Sequence, residues 1–301
     1  MVEKNLNYLR ANWVLYALVL PAVVLLIVFN YVPMFGVIIA FKDYRPLLGF
    51  GGSQWVGLRW FERMATDPGF LRVIRNTVSI AIGKIVIGQL ASLTFALLLN
   101  EVRHRLFKRT VQTLVYFPHF LSWVITAGLL IELLSLRGLV NNVLFALVGR
   151  RIFFLGDNQV FQATMILTDV WKGYGWGAIL YIAAIQAIDP VLYESSLIDG
   201  AGRWKQLLHV TLPGIASTIV LLASLSLGNV LNAGFEQILM LYNPAVYQTG
   251  DILDTLLYRV GLFDRNFSLS TAISLVKSFV GFFLISLSWW LAKKYAHYHI
   301  V

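Results

Sequence analysis

The stretch DPVLYESSLIDGAGRWKQLLHVTLPG, residues Asp189–Gly214, separates two long apolar runs of the chain. It holds Asp189, Glu194, Asp199, Arg203 and Lys205, with glycines at 200, 202 and 214. Asp189 can cap a helix that begins at Pro190: its carboxylate accepts from the orphan amides of the first turn, and a proline there forfeits no hydrogen bond. Residues 190–198 suit a short helix, Gly200 and Gly202 break it, and RWKQLLHV suits a second. Pro213 then opens the next apolar run. The expected result is a helix–turn–helix elbow outside the apolar layer, displaying charged side chains. That shape suits docking better than catalysis.

The rest of the chain sets the solvent. Of 301 residues, 58% are hydrophobic and 13% charged, where soluble domains carry about 25% charged. Six runs reach the roughly 20 apolar residues that a spanning helix needs: 13–40, 76–99, 111–136, 160–188, 214–241 and 269–292. In lipid every backbone amide must be paired within its own segment, so each run reads as a helix. The runs are continuous and not alternating, which disfavours a membrane barrel. The expected fold is all-α and integral to the membrane, with six transmembrane helices. Residues 1–12 form an N-terminal segment, 13–292 the six-helix domain with the elbow at 189–213 between helices 4 and 5, and 293–301 a tail.

Several chemistries lack their equipment. There is no cysteine, so no disulfide and no thiolate metal site. The five histidines form no His-Glu-x-x-His pair, and neither a Gly-x-Ser-x-Gly turn nor a phosphate-cradling Gly-x-x-x-x-Gly-Lys loop is present. Lys4 and Arg10 precede the first run as in a signal peptide, but the run is too long and no small-residue cleavage site follows it. It reads as a retained helix, tilted or kinked by Pro21 and Pro33.

Basic residues divide almost evenly between the two sides of a six-span chain. They are denser on the side of the termini, with EVRHRLFKR at Glu101–Arg109 the strongest cluster. By the positive-inside rule this places the termini, residues 100–110 and the elbow in the cytoplasm. The formal net charge of +9 suits contact with anionic lipid headgroups before any other acidic partner.

The elbow also carries a resemblance. Glu194-Ser195-Ser196, three residues, Gly200, nine residues, Val210, one residue, Leu212-Pro213 is similar to the EAA loop of bacterial ABC importer permeases. Their pattern is Glu-Ala-Ala, three residues, Gly, nine residues, Ile, one residue, Leu-Pro. The departures are Ser195 and Ser196 for the alanines and Val210 for Ile, all small changes. ALLLNEVRHRLFKRTVQTLVYFPHFLSWV (Ala96–Val124), Trp171–Trp204 and Tyr242–Leu262 look like the oligosaccharide and polysaccharide branch of these permeases, and within it like the permeases of alginate importers. The resemblance implies a type I ABC importer permease fold in the bacterial inner membrane. It implies a second permease of related but different sequence, two ATPase subunits, an extracytoplasmic solute-binding protein and an oligosaccharide substrate, with no nucleic acid. No cofactor is implied for this chain, since magnesium-bound ATP sits on the ATPases. The elbow becomes a coupling helix, with Glu194, Ser195, Ser196, Asp199, Gly200, Ala201, Gly202 and Arg203 as its ATPase-facing residues.

Ionisable residues inside spans are costly and usually face the bundle interior. They are Lys84, Glu132, Asp169, Lys172, Glu236 and Lys277. Asp169 and Lys172, three apart on one helix, are expected to neutralise each other. Glu132 lies near Arg137, and Lys84 and Lys277 could pair with span carboxylates or snorkel. GYGWG at Gly173–Gly177 has the small-x-x-x-small spacing of close helix packing. On one continuous fifth helix Ser226, Asn229, Asn232, Ala233, Glu236 and Met240 would fall within an arc of about 120° at 3.6 residues per turn. Amides and carboxylates suit a hydroxyl-rich solute, and the resemblance implies that this helix lines the translocation path, with Asn229, Asn232, Glu236 and Gln237 as the expected path residues; amide bonding between helices is the alternative. An unpaired ionised Glu236 would repel a uronate.

Two further classes remain. An ion-coupled secondary transporter would use the intramembrane carboxylates as a relay, but the inverted repeats that would mark it are not evident. A membrane-embedded enzyme lacks any motif.

Overall fold

A computed structural model describes residues 12–228 and 230–295, with the backbone alone for Leu291, Ala292, Lys294 and Tyr295. Among these residues, four helices are long and apolar enough to cross a membrane: Trp13–Phe41, Pro68–Glu101, Trp123–Val148 and Phe267–Trp290. Two bent pairs raise the number to six, if each is one span. Phe161–Gln186 meets Pro190–Ile198 at 67°, and Arg203–Gly214 meets Ala216–Gly228 at 57°. The expected all-helical, six-span fold stands. The expected N-terminal and C-terminal segments fall mostly outside the described residues.

The chain divides into two compact units. In the first, α1 (Trp13–Leu26) continues through a π turn, Ile27–Tyr31, and a 3-10 stretch, Phe35–Phe41. The π turn ends just before Pro33, whose ring nitrogen has no hydrogen to donate to the preceding turn. Beyond it, β1 (Lys42–Asp43) pairs antiparallel with β2 (Gln54–Trp55), Lys42 opposite Trp55. The amphipathic α2 (Arg59–Thr66) buries Trp60 and Met64, and the Trp60 indole N–H donates to the Lys42 carbonyl at 3.0 Å.

The first unit also includes residues 259–275, and the second spans 67–258 and 276–301. The second unit's longest helix, α3 (Pro68–Glu101), starts at Asp67, whose carboxylate accepts from Gly69 N at 2.8 Å. The third apolar run, expected as one helix over 111–136, is broken. It becomes α4 (Arg105–Tyr116), a 3-10 turn Phe117–Phe120, and α5 (Trp123–Leu134), followed by α6 (Leu139–Val148). Pro118 cannot donate, and the Ser122 hydroxyl accepts from Ile125 N at 3.4 Å, so a new helix start replaces the continuation. Buried Asn141 then ties α6 back: its amide donates to Ser135 O and Ile152 O, both at 2.9 Å, and accepts from Ile152 N at 2.8 Å.

α7 (Phe161–Gln186) runs against α3. Ala96, Leu99, Ala178, Tyr181, Ile182, Ile185 and Ile215 form a core where these helices meet the region below the elbow. The glycines of GYGWG pack differently from expectation. A Cβ at Gly175 would stand 2.6 Å from the Val115 side chain and carbonyl, and one at Gly177 would stand 2.6 Å from Ser92 Oγ. At Gly173 nothing lies within 4 Å. Close helix approach therefore belongs to Gly175 and Gly177, and Gly173 faces open space.

The elbow follows as α8 (Pro190–Ile198) and α9 (Arg203–Gly214), the latter widened to a π turn at Leu207–Thr211. The fifth run does not form one helix. α10 (Ala216–Gly228) stops, Asn232 to Gly234 are non-helical, and α11 (Phe235–Leu241) restarts after Gly234 at φ +89°. Asn and Gly are poor helix residues, and the carbonyl freed at Ala233 finds a partner on α3, described below. The single polar arc expected from Ser226 to Met240 therefore does not exist. The segment beyond is stitched to α3 and α7. Asn76 donates to Gln248 O and Asp251 O at 3.0 and 3.2 Å, and Gln162 donates to Thr249 O at 2.9 Å. Then come α12 (Leu253–Tyr258) and the last helix, α13 (Phe267–Tyr295).

Candidate functional site: an exposed elbow and a polar cleft

The elbow forms as its sequence dictates. Asp189 Oδ1 accepts from Val191 N at 2.9 Å, with Pro190 in the first turn of α8. Gly200 closes the helix at φ +74°, a left-handed conformation that any Cβ would strain. Ala201 N donates to Ser196 O at 2.9 Å, and Gly202 precedes the first turn of α9. Both serines bond back to carbonyls of their own helix, and Ser195 stays exposed. Ser195 Oγ donates to Leu192 O at 3.1 Å and Ser196 Oγ to Tyr193 O at 2.7 Å, while Gln206 Nε2 donates to Ser196 Oγ at 3.0 Å. Tyr193 and Thr211 join hydroxyls at 2.9 Å. The Gln206–Ser196 and Tyr193–Thr211 bonds clamp α8 to α9.

Glu194 and Asp199 are exposed, as are Leu197, Ile198 and Trp204, the last two by 87% and 78%. Arg203 lies 3.8 Å from Glu101 at the end of α3, both well exposed. An apolar crevice of about 240 Å³ runs beneath, lined by Leu97, Leu98, Glu101, Arg203, Trp204 and Leu207. The elbow thus displays large apolar side chains, Ile198 and Trp204, beside the Glu194 carboxylate.

The second locus lies inside the second unit, where the fifth run is broken. Lys84 on α3 is 9% exposed and makes three contacts. Nζ donates to Ala233 O at 2.8 Å and to Gln237 Oε1, and lies 3.3 Å from Asp169 Oδ1. Gln237 is fully buried, and its amide donates to Met165 O at 2.9 Å and Thr168 Oγ1 at 2.8 Å. Asp169 thus pairs with Lys84, not with Lys172 as its spacing suggested. Lys172 donates to His119 O at 3.0 Å and lies over the Trp123 ring at 5.2 Å. Lys277 pairs with Asp254 at 2.5 Å, a carboxylate outside the apolar runs, and Glu132 is exposed.

Two adjoining clefts open from this junction. One, about 260 Å³, is lined by Lys84, Gln89, Ser92, Asp169, Gly173, Tyr174, Tyr181 and Ser226 among others. The other, about 270 Å³, adds Asn232 and Gly234. Gln89 Nε2 donates to Ser226 Oγ at 3.0 Å. The Tyr181 hydroxyl is buried without a hydrogen-bond partner among the described residues.

The structure separates the three described residues of the four expected to line a path. Asn232 is exposed at a cleft, Glu236 is exposed near the start of α11, and Gln237 is a buried structural clamp. Asn229 lies outside the described residues. Sequence reasoning missed Gln89, Tyr174 and Tyr181. Each sits among apolar residues on a helix whose partner face only the packing reveals. Lys84 and Asp169 stood out as intramembrane charges, but nothing local joined them.

The fold is a helical membrane domain with a charged elbow between its fourth and fifth candidate spans. Residues 85–297 match the model of the family described as binding-protein-dependent transport system inner membrane component, and the chain belongs to that family. It is 44% identical over 282 residues to the polygalacturonan/rhamnogalacturonan transport system permease protein YteP of Bacillus subtilis (strain 168), covering 93% of this chain and 88% of that one. It is 42% identical over 287 residues to Protein LplB of the same organism, covering 95% and 90%. The fold superposes on a chain of the crystal structure of a bacterial alginate ABC transporter in complex with an alginate pentasaccharide-bound periplasmic protein. The TM-score is 0.89 at 34% identity, covering 98% of this chain and 99% of that one. The chain is a multi-pass membrane permease subunit of an ABC importer.

Proposed function

We propose that this chain forms, with a second permease, the translocation path of an ATP-driven importer for acidic oligo- and polysaccharides. The relatives named for polygalacturonan/rhamnogalacturonan and for alginate support that substrate class. The observation that carries the path is the polar junction at the broken fifth span. Lys84, Asp169, Gln89, Ser226, Asn232 and the Tyr181 hydroxyl, which has no hydrogen-bond partner among the described residues, gather there around open space, inside an otherwise apolar layer. Polar groups in that layer are retained where they meet water, protein or a polar solute. Asn232 reaches the solute in this reading, Glu236 meets its hydroxyls only with the carboxylate protonated or paired to a cation, and Gln237 holds the break in shape. Asn229 keeps its proposed role from its sequence position alone.

The elbow docks on an ATPase subunit. Glu194 faces a basic residue there, Asp199 and Arg203 flank it, and Ser195, Ser196, Gly200, Ala201 and Gly202 keep the turn rigid enough to transmit a push. ATP binding and hydrolysis belong to the partner subunits, and this chain needs no cofactor of its own. The termini, residues 100–110 and the elbow lie in the cytoplasm, on the strength of the Lys and Arg density there. A relay running through Asp169 in an ion-coupled transporter is less well supported, because Lys84 already neutralises that carboxylate.

The test is co-expression with candidate partner permease, ATPase and solute-binding proteins, followed by reconstitution in liposomes. Galacturonate oligomers should stimulate ATP hydrolysis and accumulate inside. Stable assembly with no ATPase partner, or uptake driven by an ion gradient alone, would overturn the proposal.

A further inference from the structure

Lys172 is an ammonium held inside a membrane helix with no anion paired to it among the described residues. It is 8% exposed. Asp169, three residues earlier on α7, is engaged by Lys84 instead. The two contacts that Lys172 does make, the His119 carbonyl at 3.0 Å and the Trp123 ring face at 5.2 Å, are electron-rich but uncharged. Such partners stabilise a cation without cancelling its charge. Lys84, Asp169 and Lys172 together leave one positive charge in excess in a layer where charge is expensive.

Beside this cation is an aromatic platform. Trp176, four residues on and so on the same face of α7, stacks on the His119 ring with centroids 4.5 Å apart and planes 1° from parallel. Phe120 stands edge-on to the same indole at 5.7 Å. His119 covers one face of Trp176, yet the residue remains 47% exposed, and Phe120 is 69% exposed. Lys172 and Trp176 are one turn apart, about 6 Å along the axis. That is the scale of a single pyranose ring and its carboxylate.

We infer that Lys172 and Trp176 form a subsite for one uronate unit of the transported chain, the ammonium reading the sugar carboxylate and the indole packing on the ring. The inference rests on the proposed acidic-saccharide substrate and names the residues that would select it. Trp176 contributes contact area that any pyranose can use. Lys172 contributes a charge that only the acid can use, which makes it the specificity-determining residue of the pair. The His119 carbonyl and Trp123 are positioning groups that hold the ammonium when the subsite is empty.

The test is equilibrium binding of radiolabelled galacturonate oligomers and of their methyl esters to the complete permease–ATPase complex in nanodiscs, without the solute-binding protein. The unmodified complex should prefer the acid. Lys172→Met should weaken binding of the acid by about tenfold or more, as expected when one partner of a desolvated charge pair is lost, and leave the ester unchanged. Lys172→Arg should restore the preference. Trp176→Leu should weaken acid and ester alike. Should Lys172→Met fail to assemble, Lys172→Gln provides the same reading. Equal loss of acid and ester in the lysine variants, an unchanged preference, or no saturable binding by the unmodified complex would overturn the subsite. Uptake assays with the full importer judge the transport proposal separately, since a chain that imports galacturonate without this preference refutes the subsite alone.

Discussion

Lys84 Nζ stands 3.3 Å from Asp169 Oδ1 on the neighbouring helix, and the same ammonium donates to the Ala233 carbonyl at 2.8 Å. One side chain thus joins α3, α7 and the break between α10 and α11. The Ala233 carbonyl would otherwise be an unsatisfied acceptor in a nearly dry setting. Lys84→Met should therefore destabilise the permease. The expected cost is about 2–3 kcal/mol, below the 3–5 typical of a fully buried pair, because a third of the Asp169 side chain stays accessible. Thermal unfolding of the purified complex in detergent measures it. An unchanged midpoint would show that the break holds without the clamp.

Gly173→Leu should be tolerated structurally and harmful to transport. Its Cβ meets nothing within 4 Å, and a leucine in a helix interior is favoured over glycine by roughly 0.5–1 kcal/mol. The new side chain enters the cleft beside Lys84 and Tyr174. Uptake of oligosaccharide should drop several-fold while subunit assembly persists. By contrast Gly175→Ala puts a Cβ 2.6 Å from the Val115 carbonyl and should cost about 1–3 kcal/mol through overpacking. Size-exclusion profiles and uptake rates, compared for the two variants, separate a cleft from a packing surface.

Tyr181→Phe removes a buried hydroxyl that has no partner among the described residues. Deleting an unsatisfied polar group should be neutral or stabilising by up to about 1 kcal/mol. If the hydroxyl meets solute in the cleft, uptake nevertheless falls, by the several-fold that one hydrogen bond of about 1 kcal/mol is worth. A destabilised Tyr181→Phe would mean that the hydroxyl is satisfied in the membrane and would remove it from the path.

Glu194→Lys should uncouple transport from ATP hydrolysis, since reversing a charge at a desolvated docking contact sets like charges together and costs several kcal/mol. Substrate-stimulated ATPase activity is the readout, with membrane insertion as control. Gly200→Val tests the same element through its backbone. At φ +74° a β-branched residue costs on the order of 1–3 kcal/mol, so the elbow should lose rigidity and coupling should weaken. Normal stimulation in both variants would remove α8 from the coupling role.

Sidedness is open to direct labelling, because the chain has no cysteine. Ser195→Cys on the elbow and Arg150→Cys beyond α6 are both at exposed positions. An impermeant maleimide applied to intact cells should label residue 150 and spare residue 195. The reverse pattern would invert the proposed topology.

The sequence by itself settled what depends on local chemistry. Long apolar runs must become helices in lipid. Asp189, Pro190 and Gly200 fix the elbow through a cap, a permissive first turn and a left-handed closure, each a matter of a few neighbouring residues. The tertiary structure decided the rest. Period and propensity could not place the break after Gly228, because an unpaired carbonyl at Ala233 is tolerable only with Lys84 beside it, some 149 residues away in the chain. The same holds for pairing. Asp169 and Lys172 are neighbours in sequence, yet Asp169 finds Lys84 and Lys172 is left to a carbonyl and an indole. Gln237 read as a path residue and became a clamp, and Gly173 read as a packing residue and faces a cleft. Helix formation is dictated by each residue's nearest neighbours, whereas the partner of a buried charge or the space in front of a glycine depends on which distant helix packs against it.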